Sequence, residues 1–165
     1  MGKHYQLFSV ITIYKHLGKE ISKSLPIFHA LSDTTSSFNG KGKRSAWQAW
    51  LSFPEETETL ENLVNASFKH LDIGSNDFKA TELLIVILYG KKSPLNSVNE
   101  ARRELFCKRN RAREKLPPTQ GALLQHVRRT VYQAGIWTTS TNTNQELPSP
   151  QNFGWTYASG SQEPV

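Results

Sequence analysis

A chain of 165 residues has the length of a single domain, and its composition excludes several kinds of protein. A single cysteine, Cys107, excludes an intramolecular disulfide and fits a reducing compartment, and the five histidines show no zinc-ligand spacing. No apolar run approaches the roughly 20 residues that a transmembrane helix needs, so the sequence predicts no membrane association.

The positive charge is concentrated in one part of the chain. Between Lys91 and Arg129 there are 11 Lys or Arg and 3 Glu, a local charge of +8, whereas the whole chain carries +6. The remainder is therefore slightly acidic. Charge runs are commonly just solvated helix faces, but a patch of this strength favours an anionic partner.

The first 31 residues predict a short strand followed by helices. Residues 5–10, YQLFSV, have a strand-like pattern, and ITIYKHLG is typical of a short helix that ends at Gly18. The apolar stretch LFSVITIY, residues 7–14, is predicted to lie in the core. Apolar residues recur at helical spacing from Lys19 to Leu31, where Pro26 predicts a kink or an interruption.

Three more helices are predicted between residues 45 and 90. SAWQAWLSF predicts a helix from Ser45 with an apolar side that includes Trp47, Trp50 and Leu51, and we interpret both tryptophans as core residues. PEETETLENLVNASF predicts a helix that starts after Pro54. SNDFKATELLIVILYG is compatible with a strand or a helix, and its length favours the helix.

A basic segment, SVNEARRELFCKRNRAREK, gives the clearest helix signal. Ser97 and Glu100 match a capping box, and Leu105 and Phe106 provide an apolar side, so we predict a helix over at least Val98 to Lys108.

The last predicted helix follows Thr119 as its cap. It is expected to cover at least Ala122 to Ala134, with Arg128 and Arg129 outside and Gly135 as its end. From Thr138 onward the chain is polar with scattered aromatic residues, which predicts a mobile tail or a docking segment. The predicted division is a helical domain at 1–136 and a tail at 137–165.

The stretch DTTSSFNGKGKRSAW, residues 33–47, has the strongest functional pattern. A nucleotide-binding P-loop would require a glycine where Ser37 stands and a hydroxyl residue where Arg44 stands. What remains is a Gly-x-Gly turn that opens a helix, where backbone N–H groups and Lys41 and Lys43 can hold a phosphate. The alternative is an ordinary turn between two helices with solvated lysines.

LPIFHALSDTTSSFNGKGKRSAW resembles the segment of the flap-endonuclease and PIN-like nuclease superfamily in which a helix ends in Gly-Cys-Asp before a Gly-x-Gly hairpin. It is more similar to an uncharacterised, mobile-element-associated animal family that reads HALTGCDTTS followed by GKGK. SVNEARRELF, PPTQGALLQHVRRTVYQAG and ELPSPQNFGW also resemble that family. Its members continue past Val165, so we expect this chain to be a fragment or a shortened copy.

The resemblance implies a metal-binding role for Asp33 and a DNA-phosphate hairpin at Gly40, Lys41, Gly42 and Lys43. The Gly-Cys pair before the Asp is missing, so Ser32 directly precedes Asp33. The upstream carboxylate clusters are missing as well, whereas a two-metal site needs several converging oxygens. The lone Asp33 therefore has an alternative role as a helix or turn cap.

These patterns together predict a mainly α protein, the helical remnant of a PIN-like α/β scaffold with one short N-terminal strand. We expect non-catalytic binding of the nucleic-acid backbone, with DNA favoured over RNA, no cofactor, and an intracellular, preferentially nuclear location. One alternative is a metal-dependent nuclease, with Mg²⁺, completed by another chain; another is a protein-interaction module or a fragment without function. The predicted nucleic-acid contacts are Gly40, Lys41, Gly42, Lys43, Arg44, Arg102, Arg109 and Arg113.

Overall fold

The fold is mainly helical. The computed structural model describes residues 8–34, 37–66, 68–90, 94–107, 112–158 and 161–164. Its α-helices are α1 (Val10–Leu17), α2 (Lys19–His29), α3 (Lys43–Leu51), α4 (Glu56–Asn65), α5 (Asn76–Tyr89), α6 (Val98–Cys107) and α7 (Gln120–Thr138). Within these residues, no helix is long and apolar enough to cross a bilayer.

Shorter elements complete the described part of the chain. A π-helical segment, Ala30–Thr34, continues directly from α2, and 3₁₀ turns lie at Arg113–Lys115 and Pro150–Phe153. Two antiparallel strands, β1 (Trp155–Ala158) and β2 (Ser161–Pro164), pair near the end of the chain. The predicted mainly α class is therefore confirmed.

The core lies where α2, α4, α5 and α7 pack against one another. Helices α2, α4 and α7 bury apolar residues at helical spacing, whereas α5 is apolar and buried on several sides. The largest fully buried apolar side chains of the core are Trp50, Phe78, Ile27, Leu60, Leu63, Ile85, Leu123, Val86, Val98, Val127 and Val131.

The N-terminal segment does not join this core, so the prediction of a buried segment at 7–14 is wrong. Residues 10–17 form α1, which packs against α2 but buries none of its own residues. Phe8, Val10 and Ile11 are all more than two-thirds exposed. The predicted strand at 5–10 lies partly outside the described residues, and at Val10 it is wrong because the helix has already begun.

Helix α2 runs through Pro26 without interruption and ends at His29. A proline inside a helix removes one hydrogen bond to the residue four positions earlier. The neighbouring Ile27 and Phe28 are buried, and Phe28 packs against Trp50 with ring centroids 4.9 Å apart. We infer that this burial offsets the missing hydrogen bond, which the local pattern alone does not reveal.

The middle helices largely follow the predictions. Helix α3 begins at Lys43, two residues before the predicted start, and Trp50 is buried as expected, but Leu51 is exposed. Segment 76–89 is a helix whose Ser75 side chain accepts a hydrogen bond from the Phe78 amide at 3.2 Å. Ser75 is therefore the N-cap of this helix, and serine is one of the residues that most favour this position.

The last two predicted helices are confirmed over their described residues. Helix α6 covers Val98–Cys107, and Lys108 lies outside the described residues. In α7 the Thr119 side chain caps the helix, as predicted. Phe106, on the predicted apolar side of α6, is half-exposed and not buried. It directly follows the buried Leu105, and neighbouring helix positions point in different directions.

The end of α7 differs from the prediction in two ways. Arg129 is buried rather than outside, because its guanidinium donates to the carbonyl of Gly154 at 3.0 Å. Gly135 does not end the helix, which continues to Thr138, past the predicted domain boundary at 136/137. The following segment packs on α7, with Phe153 buried.

Candidate nucleic-acid interface

The Gly-x-Gly motif divides between a turn and a helix start. The Lys41 amide donates to the carbonyl of Phe38 at 2.9 Å and closes a four-residue turn. Gly40, its third residue, has φ of +68°, a left-handed conformation that favours glycine. Gly42 has φ of −82° and is the N-cap of α3. The predicted helix-opening turn is confirmed, and we call residues 38–44 the basic turn.

Asp33 lies beside the basic turn. Its carboxylate Oδ2 is 3.2 Å from the Nζ of Lys43, and both side chains are about half exposed. The structure therefore brings together the two residues to which the resemblance assigns metal and phosphate binding. The described residues contain no group of three or more His, Cys, Asp or Glu that could hold a metal ion. The metal-binding role of Asp33 stays a prediction.

A buried histidine on α7, His126, contacts both the π-helical segment that contains Asp33 and the basic turn. The Nε2 of His126 lies 2.8 Å from the carbonyl of Leu31, to which it donates, and its ring packs edge-on against Phe38 with centroids 4.8 Å apart. Burial lowers the pKa of His126 to about 4, so the imidazole is neutral at neutral pH. His126 thereby anchors the π-helical segment of Asp33 and the basic turn to the same helix.

Tyr89, the last residue of α5, interacts with a cation of the basic turn and with a cation of α6. The ammonium of Lys41 sits over the Tyr89 ring, 5.2 Å from its centroid. Burial raises the pKa of Tyr89 to about 12, and the nearby positive charge of Arg102 opposes part of that rise. The positive charges of Lys41 and Arg102, one from each basic segment, therefore both act on Tyr89.

Arg102, in α6, also lines a groove beside that helix. Its guanidinium donates to the carbonyl of Pro117, which fixes the arginine across the connection to α7. The groove has a volume of about 400 Å³, and we call it the arginine groove; its lining residues are Arg102, Arg103, Phe106, Arg113 and Leu116. Three guanidinium groups supply positive charge, while Phe106 and the buried Leu116 supply an apolar surface.

The structure brings most of the predicted contacts to these two places. Gly40, Lys41, Gly42, Lys43 and Arg44 lie in the basic turn, with Arg44 exposed in the first turn of α3. Arg102 and Arg113 line the arginine groove. Arg109 lies outside the described residues.

Four further residues were missed by the sequence reasoning. Arg103 and Phe106 belong to the basic segment already identified, and the basic character of α6 could have suggested Arg103. Tyr89 and His126 gave no local signal, because their roles depend on residues distant in sequence; His126 and Leu31 are 95 positions apart.

The chain was compared with models of protein families, with curated proteins and with solved structures, and none of them matches it.

Proposed function

We propose that this protein binds the sugar-phosphate backbone of nucleic acid without cleaving it, through the basic turn and the arginine groove acting as one surface. The observation that carries the proposal is the contact of the Lys41 ammonium with the ring of Tyr89, a residue on which the positive charge of Arg102 also acts. A phosphate chain several nucleotides long could contact cations from both segments. DNA is the favoured partner, and the scaffold would be a degenerate PIN-like nuclease.

The position of the charges at α3 supports an anionic ligand. Lys43 and Arg44 occupy the first turn of the helix, whose free N–H groups already make this end positive. Cations at this end cost stability, by roughly 0.3–1 kcal/mol each. Asp33 pairs with Lys43, while Arg44 adds its charge to an exposed surface. A bound phosphate would turn this unfavourable arrangement into a favourable one.

The absence of a catalytic role is part of the proposal. Asp33 is the only acidic residue between Glu20 and Glu55, and its carboxylate is paired with a lysine. Hydrolysis by a two-metal mechanism would require further carboxylates at this place.

The salt dependence of binding tests this proposal. Duplex DNA binding should weaken steeply with salt, and replacing Lys41, Lys43 and Arg44 together with Ala should flatten the log–log slope by up to about 2.7, or three contacts at about 0.9 each. The matched control replaces three exposed lysines elsewhere, Lys15, Lys19 and Lys69, and should leave the slope nearly unchanged. No binding at low salt, or equal losses in both triple variants, would refute a defined surface.

A further inference from the structure

Phe106 is an unusual residue for a charged surface. Its side chain is 50% exposed, although Ala101 and Leu105 of the same helix are buried in the core. It lines the arginine groove together with Arg103 and Arg113. The groove therefore combines an accessible aromatic ring with guanidinium groups, and phosphate binding alone does not require the ring.

An aromatic ring beside arginines matches the chemistry of an unpaired nucleotide. A nucleobase can stack on a phenyl ring, while guanidinium groups pair with the flanking phosphates. The groove volume of about 400 Å³ lies within the range of sites that hold small organic molecules. In a duplex, both faces of each base are covered by its stacked neighbours, so only an unpaired base can reach the ring.

We infer that the arginine groove binds single-stranded nucleic acid in preference to duplex, with one unpaired base stacked on Phe106. The phosphates on either side of that base are held by Arg103 and Arg113. The basic turn contacts the backbone further along the strand. This inference rests on the proposed function, to which it adds a strand preference and a site for the base.

Binding of fluorescent oligodeoxythymidylate, measured by anisotropy beside a duplex of the same length, tests the inference. We expect the full chain to bind the single strand more tightly than the duplex. Phe106→Ala should weaken single-strand binding by between about 5-fold and 150-fold, because stacking on an aromatic side chain contributes roughly 1–3 kcal/mol per base. The salt slope should stay unchanged, since no charge is removed.

Two further variants define the effect. Phe106→Trp keeps a stacking surface and should bind the single strand at least as tightly as the parent chain. Phe8→Ala removes another exposed phenylalanine, which lies outside the groove, and should bind like the parent. Far-ultraviolet circular dichroism checks that all three variants keep their helices.

The outcomes separate the two proposals. If the duplex binds as tightly as the single strand, or Phe106→Ala binds the single strand normally, the inference is wrong while backbone binding stands. If neither nucleic acid binds at low salt, the proposed function and this inference both fail.

Discussion

Asp33 reduces the positive charge of the basic turn. Its carboxylate pairs with Lys43 and places a negative charge next to the surface that would hold phosphate. In a partly exposed pair of this kind the attraction is worth little to stability. Its larger effect would be on the local potential, because it neutralises one of the cations that attract the ligand.

Asp33→Asn should therefore strengthen DNA binding, by several-fold at low salt, and the gain should shrink as salt screens the charges. Titrations at two salt concentrations measure both effects. Mg²⁺-dependent cleavage by the parent chain that disappears in Asp33→Asn would instead establish a metal ligand, and would refute the non-catalytic proposal.

Gly135 shows, at the scale of elements, how a long-range contact replaces a local rule. A glycine after an apolar helical stripe predicts a helix end, yet α7 continues through this position. A Cβ atom at Gly135 would lie 2.7 Å from the Cζ of Phe68. The Phe68 ring also packs edge-on against Tyr132 and Phe153, so it has little freedom to move away. Gly135 therefore leaves the space on α7 that the Phe68 ring occupies.

Gly135→Ala should destabilise the fold by about 1–3 kcal/mol, the typical cost of overpacking a filled site. Gly121→Ala is its control on the same helix, because a Cβ there meets no other atom within 4 Å. The control should be neutral or stabilising by up to about 1 kcal/mol, since alanine favours helix. Urea denaturation of both variants measures the difference. Equal stability of the two variants would contradict this role for Gly135.

The helices were predictable where their signals are local. Thr119 and Ser75 act as caps within three residues of the amides they accept from, and the sequence alone reveals such pairs. The buried state of Arg129 and the exposure of α1 could not be predicted in the same way. Arg129 is buried because Gly154, 25 residues away, supplies its acceptor. The sequence of α1 is apolar, but too few neighbouring residues pack against this helix to bury any of its own residues.

The same distinction holds for the candidate site. The turn at Gly40 and the helix start after it follow from glycine chemistry, and both were predicted. The meeting of Lys41 with Tyr89 depends on how α3 packs against α5, and the groove depends on where Arg113 lies relative to α6. These are contacts between elements that are distant in sequence, and the spacing of residues in a single sequence does not reveal them.

At the scale of the whole molecule, the buried groups Glu56 and His126 link the stability of the fold to pH. Glu56 is fully buried, and neither carboxyl oxygen has a hydrogen-bond partner among the described residues. Burial is the main cause that raises its pKa to about 8 from the usual 4.5. The nearby Thr81 hydroxyl donates to the carbonyl of Asp77. His126 shifts in the other direction, to a pKa of about 4 from the usual 6.5, mainly through burial.

The pH dependence of stability follows from these directions. Folded Glu56 holds its proton between pH 4.5 and 8 while the unfolded chain releases it, so its contribution falls as pH rises across that window. Unfolded His126 binds a proton between pH 6.5 and 4 while the folded chain does not, so its contribution falls as pH falls. The two effects oppose each other between pH 4.5 and 6.5, where stability should be greatest.

Glu56→Gln should remove most of the decline above pH 6.5, a decline that cannot exceed about 1.4 kcal/mol per pH unit for one group. His126→Gln is the companion variant and should reduce the loss of stability on the acidic side. Chemical denaturation across this pH range measures both. An unchanged alkaline decline in Glu56→Gln would show that another group is responsible.

The π-helical segment makes the position of Asp33 sensitive to insertions and deletions at the end of α2. A π turn contains one residue more than an α turn, so the segment behaves like a single-residue insertion at the end of α2. Deleting one residue there would restore an α turn and change the direction of the Asp33 side chain about the helix axis. Asp33 would then point away from Lys43. The direction of this carboxylate is thus set by the number of residues before it, so a change in chain length could alter the charge of the basic turn without substituting any of its residues.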